Sequence, residues 1–249
     1  MAGKIVCGVK WGLIILYNAA IIIWTMTSVV VYSCMTIIFG AVSSRLARKV
    51  ARLWCVHLLF MAGVKLIIRG ASNIDRKKSY VFVANHQGYF DIPVLYTGIG
   101  STISFIAKRE LFRIPFFGWG MAAIGCISMD RKNPRNARAA ISKAVSTLRK
   151  NNLSLVLFPE GTRSQSDRVG EFKRASFALA LEAGAPVVPV AICGTGAIHN
   201  KRSRRVRPGT VTIVIGSSLP ADEIRKMNKD ELSGTVREII ARTMEENRR

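Results

Sequence analysis

A histidine and a carboxylate lie close together in residues 85–91, directly after the apolar run 79–84. Short apolar runs of this kind are typical of buried strands, and α/β folds place their chemistry where such strands end. An imidazole beside a carboxylate is a general-base arrangement. The carboxylate of Asp91 would select the tautomer of His86 and stabilise the imidazolium that forms when a hydroxyl loses its proton. The alternative for the same residues is a turn followed by a helix cap.

The spacing of this pair limits the local conformation. On a regular helix, His86 and Asp91 would be separated by a rotation of about 500°, so their side chains would point about 140° apart. The hypothesis of a catalytic pair therefore predicts that at least part of residues 85–91 is a loop or turn.

A second group of functional residue types follows another apolar run, where residues 158–164 read Phe-Pro-Glu-Gly-Thr-Arg-Ser. If the two strands are parallel, this turn lies at the same edge of the sheet as His86. Gly161 allows a close backbone approach, and Arg163 can bind a phosphate through two parallel hydrogen bonds. The alternative is an ion pair between Glu160 and Arg163 that holds the turn.

Two further segments add cations near the same predicted edge. Residues 108–119 begin with Lys108 and mix cations with bulky apolar side chains, so they either line an apolar tunnel or form a core helix with a basic face. Residues 125–131 end another apolar run with Asp130 and Arg131.

Strand-like and helix-like patterns alternate along the remainder of the chain. Strands are predicted at 80–84, 103–107, 124–129, 153–158, 187–192 and 211–215. Helices are predicted at 134–150, 172–183 and 229–247. This alternation favours an α/β fold with a mostly parallel sheet flanked by helices.

The N-terminal region has the composition of a membrane segment. No Lys, Arg, Asp or Glu occurs from residue 11 to residue 44. As one helix this stretch would be about 50 Å long, whereas a hydrocarbon core is about 30 Å thick. It therefore predicts a tilted span, a break near Gly40, or two helices in one leaflet. The uncharged run is too long for the apolar part of a secretory signal peptide.

Basic and apolar residues interleave after this run, starting at Arg45. The pattern predicts a second, amphipathic helix suited to a membrane interface. Because residues 70–78 are polar and rich in turn formers, we expect N-terminal membrane-associated helices in residues 1–69 and an α/β domain in residues 70–249. The alternative is that the two helices pack on the domain as a core layer.

The chain is strongly basic, with 37 Lys and Arg against 15 Asp and Glu and a formal charge of +22. This charge requires an anionic partner, and the apolar N-terminal run favours anionic membrane lipids over nucleic acid. The basic run 201–207 is either a solvated loop or a patch that faces headgroups. The 5 cysteines have no Cys-x-x-Cys spacing and the 3 histidines are dispersed, so we expect no disulfide framework, no metal and a reducing compartment.

Four short motifs occur in order along the chain. They are Asn85, His86 and Asp91 in the pattern Asn-His-x-x-x-x-Asp; Gly125, Asp130 and Arg131; Phe158 to Ser164; and Val188, Pro189 and Val190. Each motif is modest alone, but the set resembles the 1-acylglycerol-3-phosphate acyltransferases of the glycerolipid acyltransferase superfamily.

The resemblance implies transfer of a fatty acyl group from an acyl thioester to the sn-2 hydroxyl of 1-acylglycerol-3-phosphate, which gives phosphatidic acid for phospholipid synthesis. The thioester is carried by acyl carrier protein or coenzyme A, and no other cofactor is implied. His86 would be the general base and Asp91 its orienting carboxylate. The candidates for substrate binding, with Lys108 added for its charge and position, are Lys108, Arg131, Glu160, Gly161, Thr162 and Arg163.

Two alternatives remain at this stage. The acceptor is glycerol-3-phosphate or another lysophospholipid, or the chain is a membrane-tethered protein that binds anionic lipid or nucleic acid without catalysis. For the enzyme, we expect a backbone amide near His86 to stabilise the oxyanion. We also expect association with the bacterial inner membrane, with the catalytic domain on the cytoplasmic side.

Overall fold

The computed structural model describes residues 2–100, 103–130, 134–151, 153–164, 168–200, 202 and 205–248. Within them the chain forms a 7-stranded sheet flanked by helices. The strands are β1 (Val64–Arg69), β2 (Val81–Ala84), β3 (Ile103–Lys108), β4 (Ile127–Met129), β5 (Ser154–Leu157), β6 (Val187–Cys193) and β7 (Gly209–Ile215). The α-helices are α1 (Ala2–Val42), α2 (Ser44–Met61), α3 (Asp91–Gly98), α4 (Phe117–Ala123), α5 (Pro134–Asn151), α6 (Ala178–Ala183), α7 (Thr195–His199), α8 (Ala221–Ile224) and α9 (Lys229–Glu246).

The sheet is mostly parallel, as the sequence predicts. Its strand order is β1-β7-β6-β2-β5-β3-β4, and the pair β6–β7 is antiparallel whereas the other pairs are parallel. Strands β2 to β6 therefore run in one direction, and their carboxyl ends meet at one edge. This edge carries the segments that follow β2, β3, β4 and β5, which are the segments that contain the predicted site residues.

Strand β2 lies at the centre of the sheet and is buried on both faces. Phe82 packs into a core with residues of α1, α2 and α3, whereas Val81 and Val83 pack into a second core with residues of α5, α6 and α9. Burying one such side chain stabilises the fold by roughly 1.5–3 kcal/mol. The end of β2 is therefore a rigid point from which a functional loop can start.

The N-terminal region is a pair of packed helices. Helix α1 is continuous to Val42, and the break falls at Ser43, whose backbone is extended and whose hydroxyl caps α2 by accepting from the N–H of Arg45. The indole of Trp54 donates to the Ser28 hydroxyl at 3.0 Å and ties α2 to α1. Among the described residues, one helix contains a stretch, Trp11–Val42, that is long and apolar enough to cross a membrane by length and composition.

Three details of the predicted elements differ from the structure. Residues Val64–Arg69, placed with the N-terminal helices from the sequence, form the edge strand β1 and pair with β7, so the sheet begins before the boundary expected at residue 70. Strand β4 begins at Ile127, since Gly125 has a left-handed backbone that ends the preceding helical turn. The helix predicted from residue 172 begins as a 3₁₀ turn, Arg174–Phe177, and continues as α6.

Candidate active site

Asn85 extends the pairing between β2 and β6 beyond the end of β2. Its fully buried side chain donates to the Ile192 carbonyl at 2.9 Å and accepts from the Ile192 N–H at 2.8 Å. The carboxamide thus imitates a peptide group in the ladder. Because both of its hydrogen bonds are made inside the core, the chain leaves the sheet for His86 at a fixed position and direction. The sequence marks Asn85 only as a motif position, and this role comes from the structure.

His86 and Asp91 meet, as the proposed catalytic pair requires. His86 lies in the loop after β2 and Asp91 is the first residue of α3, so the predicted loop geometry is confirmed. The Nδ1 of His86 lies 2.5 Å from Oδ2 of the fully buried Asp91. The N–H groups of Gln87 and Gly88 donate to the same oxygen at 2.7 and 2.9 Å. The carboxylate is therefore held by three donors.

This arrangement decides which nitrogen of His86 is available for chemistry. Because Nδ1–H donates to a carboxylate, Nε2 carries the lone pair and is free to accept a proton. The His86 side chain is 20% exposed, so Nε2 is accessible from a cavity that the ring helps to line. The ring stacks on Phe158 at a centroid distance of 4.3 Å and an angle of 24°. Phe158 therefore fixes the plane of the imidazole, a role that its residue type did not reveal.

Glu160 lies behind His86 and outside the lining of the cavity. Its carboxylate accepts from the N–H of His86 at 2.9 Å, and the residue is 7% exposed. Burial raises the pKa of Glu160, because desolvation outweighs the hydrogen bonds from His86 and Gly170. The described side chains of Glu160 and Arg163 form no ion pair, so the alternative of an ion-paired turn is wrong. Glu160 supports the loop that carries His86, whereas the sequence places it with the substrate-binding residues.

The backbone N–H groups of residues 86–89 are all used within the protein. Those of His86, Gln87 and Gly88 donate to Glu160 and Asp91, and that of Tyr89 donates to the His199 carbonyl at 3.1 Å. An oxyanion could use one of them only by displacing an internal acceptor. The backbone oxyanion donor expected near His86 therefore stays a prediction.

Arg163 lies at the same cavity as His86. Its guanidinium carbon is 3.6 Å from the centroid of the Tyr89 ring, and that ring packs against His199 at 4.8 Å. A guanidinium over an aromatic face is held by the ring quadrupole, and its N–H edges remain available to an anion. Tyr89 is thus a site residue that the motif pattern did not indicate, since it falls at a variable position of the first motif.

The turn that carries Arg163 depends on Gly161. This glycine has φ +72°, a left-handed conformation that glycine adopts at low cost, and its N–H donates to the Phe158 carbonyl at 3.1 Å. The N–H of Ser164 donates to the His86 carbonyl at 2.7 Å and joins the two loops. Thr162 is exposed and lies outside the cavity lining. The turn therefore positions Arg163. Gly161 contributes only its backbone, and Thr162 does not line the cavity.

Lys108 is not brought to the cavity. Lys108 ends β3 and points to Glu110 on the surface, with an N–O distance of 3.0 Å and both side chains more than half exposed. The hydrogen bond from Lys108 lowers the pKa of Glu110. Asp130 is paired with Arg109 at 3.4 Å. Arg131 lies outside the described residues, so its phosphate-binding role stays a prediction.

An apolar cavity of about 590 Å³ starts at His86 and Arg163. Its volume is within the range of about 300–1,000 Å³ that is usual for ligand sites. Most of its wall comes from apolar residues of α1, α2, α3 and the segment around α4, among them Ile21, Met26, Pro93, Leu111, Phe117 and Met121. The prediction that residues 108–119 line an apolar tunnel is confirmed for Leu111 and Phe117. The N-terminal helices therefore form part of the cavity wall.

Among the described residues, no group of 3 or more His, Cys, Asp or Glu side chains is placed to hold a metal ion. Cys34, Cys55, Cys126 and Cys193 are free thiols. The expected absence of a metal and of a cofactor stays a prediction.

This fold and site correspond to a known family. Residues 65–193, more than half of the chain, match the family model described as Acyltransferase. The chain therefore belongs to the acyltransferase family, and within it to the 1-acyl-sn-glycerol-3-phosphate acyltransferases, the name shared by the relatives that follow.

The sequence is similar to curated proteins of bacteria and plants. A 1-acyl-sn-glycerol-3-phosphate acyltransferase of Pseudomonas aeruginosa is 32% identical over 203 residues, which cover 80% of this chain and 78% of that protein. The chloroplastic 1-acyl-sn-glycerol-3-phosphate acyltransferase LPAT1 of Arabidopsis thaliana is 32% identical over 198 residues, or 79% of this chain and 53% of that protein. The chain thus spans about half the length of the plant relative.

The structure is similar to the crystal structure of the 1-acyl-sn-glycerophosphate (LPA) acyltransferase PlsC from Thermotoga maritima. The TM-score is 0.83 at 26% sequence identity, and the match covers 95% of this chain and 97% of that chain. Because the match extends over nearly the whole chain, it includes the N-terminal helices together with the sheet.

Proposed function

We propose that this protein transfers a fatty acyl group from an acyl thioester to the sn-2 hydroxyl of 1-acylglycerol-3-phosphate and so forms phosphatidic acid. The observation that carries the proposal is the position of the His86–Asp91 pair at one apolar cavity with Arg163. A base, a phosphate-binding cation and a space for a hydrocarbon chain are the three features that this reaction requires. The names of the curated relatives support the choice of acceptor.

The reaction needs only one base and no covalent enzyme intermediate. Nε2 of His86 takes the proton of the acceptor hydroxyl, and the oxygen attacks the thioester carbonyl carbon. The new ester C–O bond forms, the C–S bond breaks, and the proton passes from the imidazolium to the departing thiolate. Asp91 stabilises the imidazolium while it exists. The sequence contains no Gly-x-Ser-x-Gly elbow, which agrees with direct attack.

Arg163 would hold the phosphate of the acceptor beside the base. Its guanidinium lies on Tyr89, so its position is set before substrate binds. The resemblance adds Arg131 as a second phosphate ligand. An acyl chain would occupy the apolar cavity, whose walls include the N-terminal helices.

Helix α1 would lie along the membrane surface rather than cross the bilayer. The catalytic domain contacts α1 near Asn18, which accepts from the Val206 N–H at 2.7 Å, and near Gly40, which packs against Ala123 of α4. These contacts are about 33 Å apart along the helix axis, and a perpendicular α1 would therefore carry the domain into a hydrocarbon core of about 30 Å. With the helix in one leaflet, the domain remains in water on one side.

Within the basic run 201–207, Arg205 contacts α1, because it stacks on Trp11 with its guanidinium carbon 4.4 Å from the ring centroid. This contact supports the headgroup-facing interpretation for Arg205, while Lys201, Ser203 and Arg204 lie outside the described residues. We place the enzyme on the cytoplasmic side of a bacterial inner membrane, where anionic lipids and acyl thioesters are both present.

The test is an acyl-transfer assay with the purified full chain in vesicles. It compares 1-acylglycerol-3-phosphate, glycerol-3-phosphate and an uncharged lysophospholipid as acceptors, each with acyl-acyl carrier protein and acyl-coenzyme A. We expect a preference for 1-acylglycerol-3-phosphate. Faster acylation of either other acceptor would reassign the substrate, and binding of anionic vesicles without any acyl transfer would support a binding protein instead.

A further inference from the structure

A cluster of exposed apolar side chains lies in the catalytic domain outside the active site. We name residues 114–119 the aromatic turn; they follow the 3₁₀ turn Arg109–Arg113 after β3 and include the first residues of α4. Within it Ile114 is 46%, Phe116 38% and Trp119 55% exposed. Phe116 and Trp119 pack edge to face, with ring centroids 5.4 Å apart. Soluble surfaces rarely cluster large apolar side chains in this way unless the cluster binds something.

The backbone of the aromatic turn is strained at Phe116. Phe116 has φ 61° and ψ −59°, and among the described residues it is the one non-glycine with positive φ. The N–H of Phe117 donates to the Pro115 carbonyl at 2.7 Å, which closes a γ-turn of the rare strained kind. Non-glycine residues persist in such conformations where the surroundings demand them, often at functional sites.

The aromatic turn is continuous with the apolar surface of α1. Helix α4, which begins at Phe117, packs directly on α1: a Cβ on Gly120 would lie 3.1 Å from the Ser33 hydroxyl. Outside the cavity lining, α1 exposes Ile23 at 67% and Ile38 at 66%. The two exposed apolar surfaces therefore belong to neighbouring, tightly packed elements.

The charges around the aromatic turn are those of a membrane interface. Arg113 directly precedes it, while the nearby acids are paired with other cations, Glu110 with Lys108 and Asp130 with Arg109. Aromatic side chains flanked by cations are typical of segments that rest at the boundary between headgroups and hydrocarbon. Because α4 packs on α1, a bilayer that contacts α1 would lie close to the turn.

We propose that the aromatic turn inserts into the same leaflet as α1 and sets the mouth of the active-site cavity at the hydrocarbon boundary. The inner side of the same segment lines the cavity through Leu111 and Phe117, while its outer side carries Phe116 and Trp119. A lysophospholipid can then diffuse laterally from the leaflet into the cavity without exposing its hydrocarbon chain to water. The insertion stands on exposed side chains and packing alone, and its kinetic consequence rests on the proposed function.

The insertion is tested by fluorescence quenching, which needs no catalysis. The chain has 4 tryptophans, and replacing Trp11, Trp24 and Trp54 with Phe leaves Trp119 as the one emitter. In vesicles of phosphatidylethanolamine and phosphatidylglycerol, we expect blue-shifted Trp119 emission that lipids brominated on their acyl chains quench. Emission at the wavelength of water-exposed indole, without quenching, overturns the proposal. So does burial of Trp119 in a dimer, detected as protection that persists in lipid-free detergent and vanishes on dilution.

A second measurement uses a chain that keeps its other tryptophans. In the double variant Phe116→Ser and Trp119→Ser, turnover of a long-chain acceptor in vesicles should fall about fivefold or more, whereas turnover of a water-soluble short-chain acceptor should stay within about twofold. The matched control is Ile68→Ser, because Ile68 is 41% exposed on β1, away from the aromatic turn. Equal turnover of both acceptors by the double variant would overturn the lateral route. Loss of all acyl transfer in wild type would instead contradict the proposed function and leave the quenching result valid.

Discussion

The backbone N–H of His86 donates a 2.9 Å hydrogen bond to the buried carboxylate of Glu160, 74 positions further along the chain. The loop that carries His86 and the turn that carries Arg163 are therefore one unit, because the Ser164 N–H returns a 2.7 Å hydrogen bond to the His86 carbonyl. We therefore expect a change in the turn after β5 to alter the position of His86.

The raised pKa of Glu160 makes its stability contribution depend on pH. A carboxyl with a raised pKa in the folded state contributes stability below its unfolded pKa and loses that contribution as pH rises through the folded value. Glu160→Gln keeps an oxygen to accept from His86 and carries no charge. We therefore expect the melting temperature of the variant relative to wild type to increase between pH 4 and pH 7.

Thermal unfolding at several pH values measures this difference. Any constant offset from placing the amide NH₂ against the Gly170 N–H affects all pH values equally and does not change the slope. A difference that is flat, or that decreases with pH, would show that burial does not disfavour the Glu160 charge.

Replacing His86 with Ala should abolish most of the acyl transfer. A positioned general base contributes about 10²–10⁴-fold to the rate, so kcat should fall by that factor while vesicle binding is unchanged. Circular dichroism and the melting temperature control for folding. We expect the variant to fold, because the side chains of Asn85 and Asp91 keep their hydrogen bonds to backbone groups. Wild-type turnover by purified His86→Ala protein would refute the mechanism.

The stacked pair of Arg163 and Tyr89 predicts two graded effects on the acceptor. Charge-assisted hydrogen bonds contribute about 1.5–3 kcal/mol, so Arg163→Ala should raise KM for the phosphorylated acceptor on the order of tenfold to a hundredfold. Tyr89→Leu removes a cation–π contact of about 0.5–1 kcal/mol and should raise the same KM about two- to fivefold. Tyr89→Phe keeps the ring and is the matched control. Unchanged acceptor kinetics in Arg163→Ala would remove this residue from the site.

Lys108 distinguishes two assignments: its charge and position in the sequence predict substrate binding, whereas the structure places it at the surface. Since it pairs with Glu110 at the surface, Lys108→Ala should leave KM for 1-acylglycerol-3-phosphate within about twofold of wild type, in contrast to Arg163→Ala. Steady-state kinetics at constant ionic strength make the comparison. A rise of about tenfold would return Lys108 to the substrate-binding residues.

Much of the fold follows from local patterns in the sequence. The apolar runs before His86 and Glu160 predict buried strands, and β2 and β5 are strands with every residue buried. A short, continuous apolar run is enough to predict these two strands, because a strand buried on both faces has no polar positions. β1 was missed since its burial is mixed and it follows directly on a helix, so neither alternation nor a turn signal separates it.

The sequence by itself determined which histidine and which carboxylate form the candidate pair, that a loop must bring them together, and that an arginine follows a parallel strand nearby. These follow from residue types and short spacings, whose geometry the backbone limits. Only the tertiary structure decided that Glu160 faces the His86 backbone, that Lys108 faces solvent, and that Tyr89 supports Arg163. Each of these depends on side-chain direction at a shared sheet edge, which is set by packing between segments distant in the chain and leaves no local pattern.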